Sequence, residues 1–319
     1  MTTGLQAKNT RFRAYQLGCA GSSFSYFDGS HFTLVEARFN DVNRSKVYRE
    51  LQECGKSAID YLHITSWDAD HCEEGDLQDI LRVLVPRKIE YPGYPPHSDT
   101  ARSCLARILE YKSSNPSSAI QQVTPDYIKS LGPAQTLGYQ DVIYHPKYLS
   151  EEPNDNSTVK LFRAGCFNVA SLGDVEDVGL SAYLRGEKIF REEVDVLLLA
   201  HHGADNGFTN SAFLKHVRPT FAIATANYDS QFEHPKPEIR ELLNKYGIPL
   251  YTTKTGDVII ASIPPHTRRY RVFNLIADST ELSSAKEDIT KKSGKLGHNL
   301  DTVRNIFTAS RPPFGNIRS

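Results

Sequence analysis

The 319-residue sequence predicts an α/β protein of layered build, and three observations carry that expectation. Short apolar runs of strand character alternate with segments of helical spacing through most of the chain. The opening region is instead a series of closely spaced strands, as in an antiparallel layer. Three of the apolar runs end directly on carboxylates or imidazoles, the arrangement expected where strand-end loops carry a site on a rigid scaffold.

In chain order, residues 1–10 are polar and expected to be a flexible N-terminus. Arg11 to Leu17 alternates as a strand, and Gly18-Cys19-Ala20-Gly21-Ser22-Ser23 makes a small-residue turn. Ser25 to Phe27 and His31 to Glu36 form a hairpin around Asp28-Gly29. The G-x-x-G turn lacks a following helix, so a structural role is simpler than a phosphate cradle. Ser45 to Cys54 reads as an amphipathic helix capped by Asn43 or Ser45 and closed by Gly55. Ile59 to Ile64 is a buried strand that leads into Ser66-Trp67-Asp68-Ala69-Asp70-His71, with helical spacing from Asp76 to Val85.

Pro86 to Pro96 is a short strand with a proline-rich turn, and Asp99 to Tyr111 is helical. Within the less regular stretch 112–150, Thr124-Pro125-Asp126 starts a helix and Asp141 to Tyr144 is a strand; 86–150 is expected to be an elaboration near the cleft. Thr158 to Phe162 and Phe167 to Leu172 form a hairpin ending on Gly173-Asp174. Val194 to Ala200 is continuously apolar, as in a strand covered on both faces, and ends on His201-His202-Gly203. Thr220 to Thr225 is a strand, Pro237 to Tyr246 a helix, and Pro249 to Thr253 with Val258 to Ser262 a final strand pair. Residues 276–319 are expected to be a partly ordered appendage in which Leu300 to Ala309 could dock as a helix, leaving 11–275 as the main domain.

Composition bounds the function. A formal net charge of -1 from 37 basic and 38 acidic residues gives no global field to gather a polyanion or an anionic membrane. No apolar run has the length of a membrane span and no secretory leader is evident, so the expected location is cytoplasmic. Five dispersed cysteines without C-x-x-C spacing argue against a disulfide framework or a zinc ribbon.

D-x-D-H alone is equally a solvated acidic turn; joined with G-D and H-H-G at two other strand ends, it describes a cage for a divalent cation. Cys72, beside His71, reads as a buried hydrophobe, His63 as a hydrogen-bonded histidine within its strand, and Trp67 as either packing or cleft lining.

These residues resemble the metallo-β-lactamase-fold hydrolases, and among them the soluble nuclease-like domain of ComEC-type competence proteins. The resemblance covers roughly residues 11–262 and rests on Gly18 to Ser23, Thr65 to His71, Asn154 to Ser157, Gly173-Asp174, His201 to Ala204 and His234-Pro235. It implies a metallo-β-lactamase-like αββα sandwich of two mixed β-sheets flanked by helices. It also implies a divalent metal, zinc or manganese, held at one well-preserved site by Asp70, His71, Asp174 and either His201 or His202. His202 is preferred because it directly precedes the glycine. The chain departs from the family where Ser66 replaces the first histidine of the metal motif and Ser23 an early aspartate. Asp68 is then left as a lone ligand of a second site that is weak or absent.

The activity implied is a metal-dependent phosphodiesterase or nuclease acting on nucleic acid or a nucleotide. Metal-bound hydroxide is the attacking group, Asp174, Asp70 or Asp68 assists it, and His234 with Lys236 binds phosphate or donates a proton. HTRRYR, His266 to Arg271, could touch phosphates or be a solvated face. Ser66 and the acidic pair Glu73-Glu74 leave room for a degenerate member acting as a binding or scaffold subunit, and the fold also hosts hydrolases of esters, lactones and thioesters.

Overall fold

The computed structural model describes residues 7–228 and 232–292. Six strands come first: β1 (Arg11–Ala14), β2 (Phe24–Phe27), β3 (Phe32–Val35), β4 (Tyr61–His63), β5 (Lys88–Pro92) and β6 (Ala119–Val123). Six more follow: β7 (Val142–His145), β8 (Val159–Phe162), β9 (Val169–Ser171), β10 (Val196–Leu198), β11 (Phe221–Ala224) and β12 (Leu250–Thr252). The last three are β13 (Val258–Ser262), β14 (Arg269–Leu275) and β15 (Leu282–Thr290). Helices α1 (Arg44–Glu53), α2 (Glu74–Asp79), α3 (Asp99–Ser114) and α4 (Pro125–Leu131) belong to the first half, and α5 (Val178–Gly186), α6 (Lys188–Glu193), α7 (Ser211–Val217) and α8 (Pro237–Lys245) to the second.

Two mixed sheets stack face to face. The nine-stranded sheet runs β15-β14-β13-β1-β2-β3-β4-β5-β6, and the six-stranded sheet β12-β11-β10-β9-β8-β7. Each has an antiparallel part and a parallel part: β3 to β6 pair in parallel in the first sheet, β9 to β12 in the second.

The period of two along the strands sorts the core into layers. Val196 and Leu198 of β10 join Phe12, Phe24 and Phe162 between the sheets, while Leu197 and Leu199 face outward onto a layer with Leu180, Phe190 and Phe213. Leu34 and Leu62 face the opposite outer layer with Val47, Leu77 and Ile108. Helices thus cover both outer faces, giving the αββα sandwich, and the continuous apolar run at Val194 to Ala200 has its cause in that double covering.

Local chemistry sets the helix ends. Ser98 accepts from Ala101 N at 3.1 Å to start α3, and Thr124 accepts from Tyr127 N at 3.1 Å to start α4. Asn43 precedes α1 without capping it; its amide instead donates to Arg38 O at 3.0 Å. Glu73 caps α2 through Asp76 N at 2.8 Å, and Glu74 pairs with Arg107, so this acidic pair has structural work.

Three differences from the sequence expectation stand out. Pro249–Thr253 and Val258–Ser262 are not partners: β12 lies parallel to β11 in one sheet and β13 antiparallel to β1 in the other. β6 falls in the stretch 112–150, where a polar edge strand gives no apolar alternation. β14 and β15 form an antiparallel hairpin that carries the first sheet to Thr290, well into the stretch assigned to the appendage; Leu300 to Ala309 lies outside the described residues. Among the described residues no helix is long and apolar enough to cross a membrane.

Candidate metal centre

Carboxyl ends of parallel strands are where layered α/β folds expose their functional loops. Here the ends of β3, β4, β9, β10 and β11 lead into Glu36, Thr65–His71, Asp174, His201–His202 and Thr225–Asn227. The loops converge on an open cavity of about 420 Å³ lined by Asp68, Asp70, Asp174, His201, His202 and His234.

Four side chains from three loops meet on its floor. Ligand atoms of Asp70, His71, Asp174 and His202 all lie within 4.8 Å of one another. His71 Nε2 is 2.9 Å from Asp174 Oδ2, and His202 Nε2 is 3.2 Å from Asp70 Oδ2 and 3.7 Å from Asp174 Oδ1. His71 Nε2 is buried yet satisfies no hydrogen-bond geometry, including toward the nearby carboxylate. A buried imidazole nitrogen aimed at carboxylate oxygens but bonded to none suits a cation between them. Two nitrogens and two carboxylate oxygens make a donor set for one divalent ion.

Each imidazole is oriented from behind. Glu36, buried at the end of β3, places Oε1 3.1 Å from His71 Nδ1. That carboxylate also accepts from Thr65 N at 3.0 Å and Thr65 Oγ1 at 2.6 Å. His202 Nδ1 donates to Thr225 O at 2.8 Å, which turns Nε2 toward the carboxylates.

The loop that carries Asp70 and His71 is clamped by Arg38, whose guanidinium donates to Ala20 O, Ala69 O and Cys19 Sγ and pairs with Asp76. Ser22 N donates to Asp70 O at 3.0 Å, so the early G-x-x-G turn is a wall of the site. A Cβ on Gly21 would stand 2.5 Å from Asp70 O, which explains the glycine.

His201 and His202 have φ of 44° and 55°, and Gly203 has φ of 93°. Three successive left-handed residues turn the chain sharply enough to aim neighbouring imidazoles apart. A Cβ at Gly203 would lie 2.6 Å from Pro235 Cβ, and Gly203 O accepts from Lys236 N at 3.0 Å, so the glycine lets the His234 loop close against the site.

Electrostatics follow from the crowding. Burial opposes charge on every member, yet Asp174, Glu36 and Asp70 together hold the His71 pKa well above its ordinary value. The His202 pKa is raised as well, against burial, by Asp174 and Asp70. Asp70 and Asp174 are lowered despite burial, chiefly by the charge of His71. His234 goes the other way: burial, then the neighbouring His202, His201 and Lys236, push it down to about 4.

The remaining expected residues stand apart from the four. Asp68 accepts from Ser66 Oγ at 2.7 Å and lies 3.1 Å from His97 Nε2; Ser66 is itself buried and bonded to Tyr94 Oη at 3.0 Å. The serine therefore ties down Asp68. His201 Nδ1 is 2.5 Å from Glu176 Oε1, and its ring lies along the cavity wall. His234 also faces the cavity, 6.3 Å from the His202 ring, with Nδ1 unpartnered among the described residues.

Cys72 packs in the helix layer, His63 bonds Glu90 at 2.9 Å, and Trp67 is buried beneath the turn with Nε1 donating to Tyr94 O. Within HTRRYR, Tyr270 is buried between the sheets and Arg269 pairs with Asp288.

Sequence reasoning missed Glu36, Thr225, Glu176 and His97. Glu36 had a readable signal, since it too ends an apolar strand on a carboxylate; backbone acceptors such as Thr225 O have none.

No protein-family model matches the chain. It is similar to competence protein ComA of Neisseria gonorrhoeae, with 23% identity over 205 residues, 64% of this chain and 25% of that protein. The match thus spans about a quarter of the relative's length. Among solved structures, a metallo hydrolase of the archaeon Ignicoccus hospitalis is 14% identical at a TM-score of 0.49, covering 78% of this chain and 98% of that one. A metallo-beta-lactamase fold protein, YhfI of Bacillus subtilis, is 14% identical at a TM-score of 0.46, covering 77% and 98%.

Proposed function

We propose that this chain is a metal-dependent hydrolase of phosphodiesters in nucleic acid or nucleotides, working through one zinc or manganese ion held by Asp70, His71, Asp174 and His202. One observation carries the reading: four donors from three loops meet within 4.8 Å of one another beside an open cavity, two of them with their far ring nitrogens already engaged. A cation bound there supplies Lewis acidity toward a phosphoryl oxygen and toward water.

The chain's own residues do the rest. Glu36 and Thr225 O hold the imidazoles in register, which removes a reorganisation cost at the moment of reaction. Asp68, fixed by Ser66 and His97, presents a carboxylate to the cavity and can hold a water proton there. His234, neutral near pH 7, offers a hydrogen bond to a phosphoryl oxygen, and His201, anchored by Glu176, lines the cavity beside it with the two rings 5.8 Å apart. Preference for a phosphodiester over a carboxylic ester, lactone or thioester is supported by similarity to a competence protein.

The test is to load purified protein with manganese or zinc, count metal by elemental analysis, and assay phosphodiester and ester substrates side by side. One ion per chain with chelator-sensitive phosphodiester cleavage is expected. Cleavage that survives chelation would remove the reading. A second reading, a binding subunit without turnover, is favoured by Ser66 being committed to Asp68 and Tyr94 rather than to a ligand position; it predicts metal retention with no cleavage of any substrate class.

A further inference from the structure

The cavity has an aromatic side chain that the hydrolytic chemistry does not use. Phe232 lines the cavity and is 52% exposed. Its ring lies parallel to that of His234, 5.8 Å away at 11°. The His234 ring in turn is 6.3 Å from that of His202 at 29°. Three rings therefore step outward from the candidate metal ligand to the solvent edge, roughly parallel throughout. Asn227 lines the same cavity.

We propose that Phe232 is a specificity-determining residue which stacks an unpaired nucleobase of the substrate, next to the phosphodiester held over the cation; this rests on the phosphodiesterase reading above. A flat aromatic face attracts any base, because every base presents a π surface, whereas a base inside a duplex is already stacked and cannot reach a cavity wall. The cavity of about 420 Å³ is of the size that takes a nucleotide-scale ligand. The substrate class that follows is a single-stranded end or a free nucleotide.

The experiment compares full-length wild type with Phe232→Ala and Phe232→Trp, loaded with manganese and read over a time in which a gel shows both probes intact. The probes are a fluorescently labelled thymidine octamer and an abasic octamer of the same sugar-phosphate backbone, followed by anisotropy. Stacking predicts that the wild type binds the thymidine octamer roughly tenfold more tightly than the abasic one. Phe232→Ala should lose that difference, with abasic binding unchanged, and Phe232→Trp should keep it, its fluorescence quenched by the base. Equal affinity of the wild type for both probes, or an alanine variant that still prefers thymidine, would overturn the stacking role while leaving the phosphodiesterase reading standing. Binding of neither probe overturns the stacking role as well, and the phosphodiesterase reading is then decided by its own cleavage assay.

Discussion

Glu36→Gln gives the sharpest test of how the candidate centre is held. The carboxylate serves three donors: Oε2 takes Thr65 N at 3.0 Å, and Oε1 takes Thr65 Oγ1 at 2.6 Å and lies 3.1 Å from His71 Nδ1. Glutamine has almost the same shape but a single acceptor oxygen, so either its amide group opposes Thr65 N–H or it opposes His71 Nδ1–H. In both arrangements a buried donor loses its partner and the negative charge behind the imidazole is gone. A carboxylate behind a metal-binding imidazole is worth about 10–100-fold in affinity, or about 1.4–2.8 kcal/mol. A second penalty of about 1–3 kcal/mol should fall on the metal-free fold, because the residue is buried. Competition for zinc against a chromophoric chelator, well below the unfolding temperature, reads the first effect separately from the second. If the folded variant binds zinc as tightly as wild type, orientation of His71 by Glu36 is refuted.

Three further outcomes are expected. His202→Ala should abolish zinc retention in elemental analysis while His201→Ala keeps it, because only His202 joins the four-residue cluster and His201 is engaged by Glu176. For the metal-free protein, His71 and His202 have folded pKa values raised above about 6.5, so their contribution is complete below that pH and is lost as pH rises through the raised values. Asp70 and Asp174 are lowered, so theirs is present above about pH 4 and fades in stronger acid. Urea unfolding in chelator should accordingly show lower stability at pH 8 than at pH 6, and a rise instead would contradict the assignment. Gly203→Ala puts a methyl 2.6 Å from Pro235 Cβ at a φ of 93°, and should cost about 1–3 kcal/mol in denaturant unfolding.

The parts of the structure that were legible are those written as local pattern. Val194 to Ala200 reads as a doubly covered strand because both of its faces are apolar, and packing on both faces is what β10 does. Loops at strand ends were legible for the same reason, since Asp70, Asp174 and the histidine pair each follow an apolar run. Pairing was less so. β12 and β13 are neighbours in sequence yet belong to separate sheets, a choice settled by partners far away in the chain rather than by local pattern. Choosing between His201 and His202 likewise needed the backbone: two left-handed residues aim one ring at Asp70 and the other at Glu176. Ser66 could be read as a departure, but its bond to Asp68 depends on Tyr94 from a distant loop.

The return of β13 to pair with β1 has a bearing on synthesis. One of the two partners of β1, Val258–Ser262, follows it about 250 residues later in the chain. A nascent chain halted before that point would carry Arg11–Ala14 as a raw edge and leave Phe12 and Ala14 without their neighbours Ile260 and Val258. The two sheets are therefore not successive folding units. Synthesis must reach Ser262 before β1 is sealed on both sides, and a cut in the turn between Thr253 and Asp257 should release two fragments that reassociate rather than fold alone.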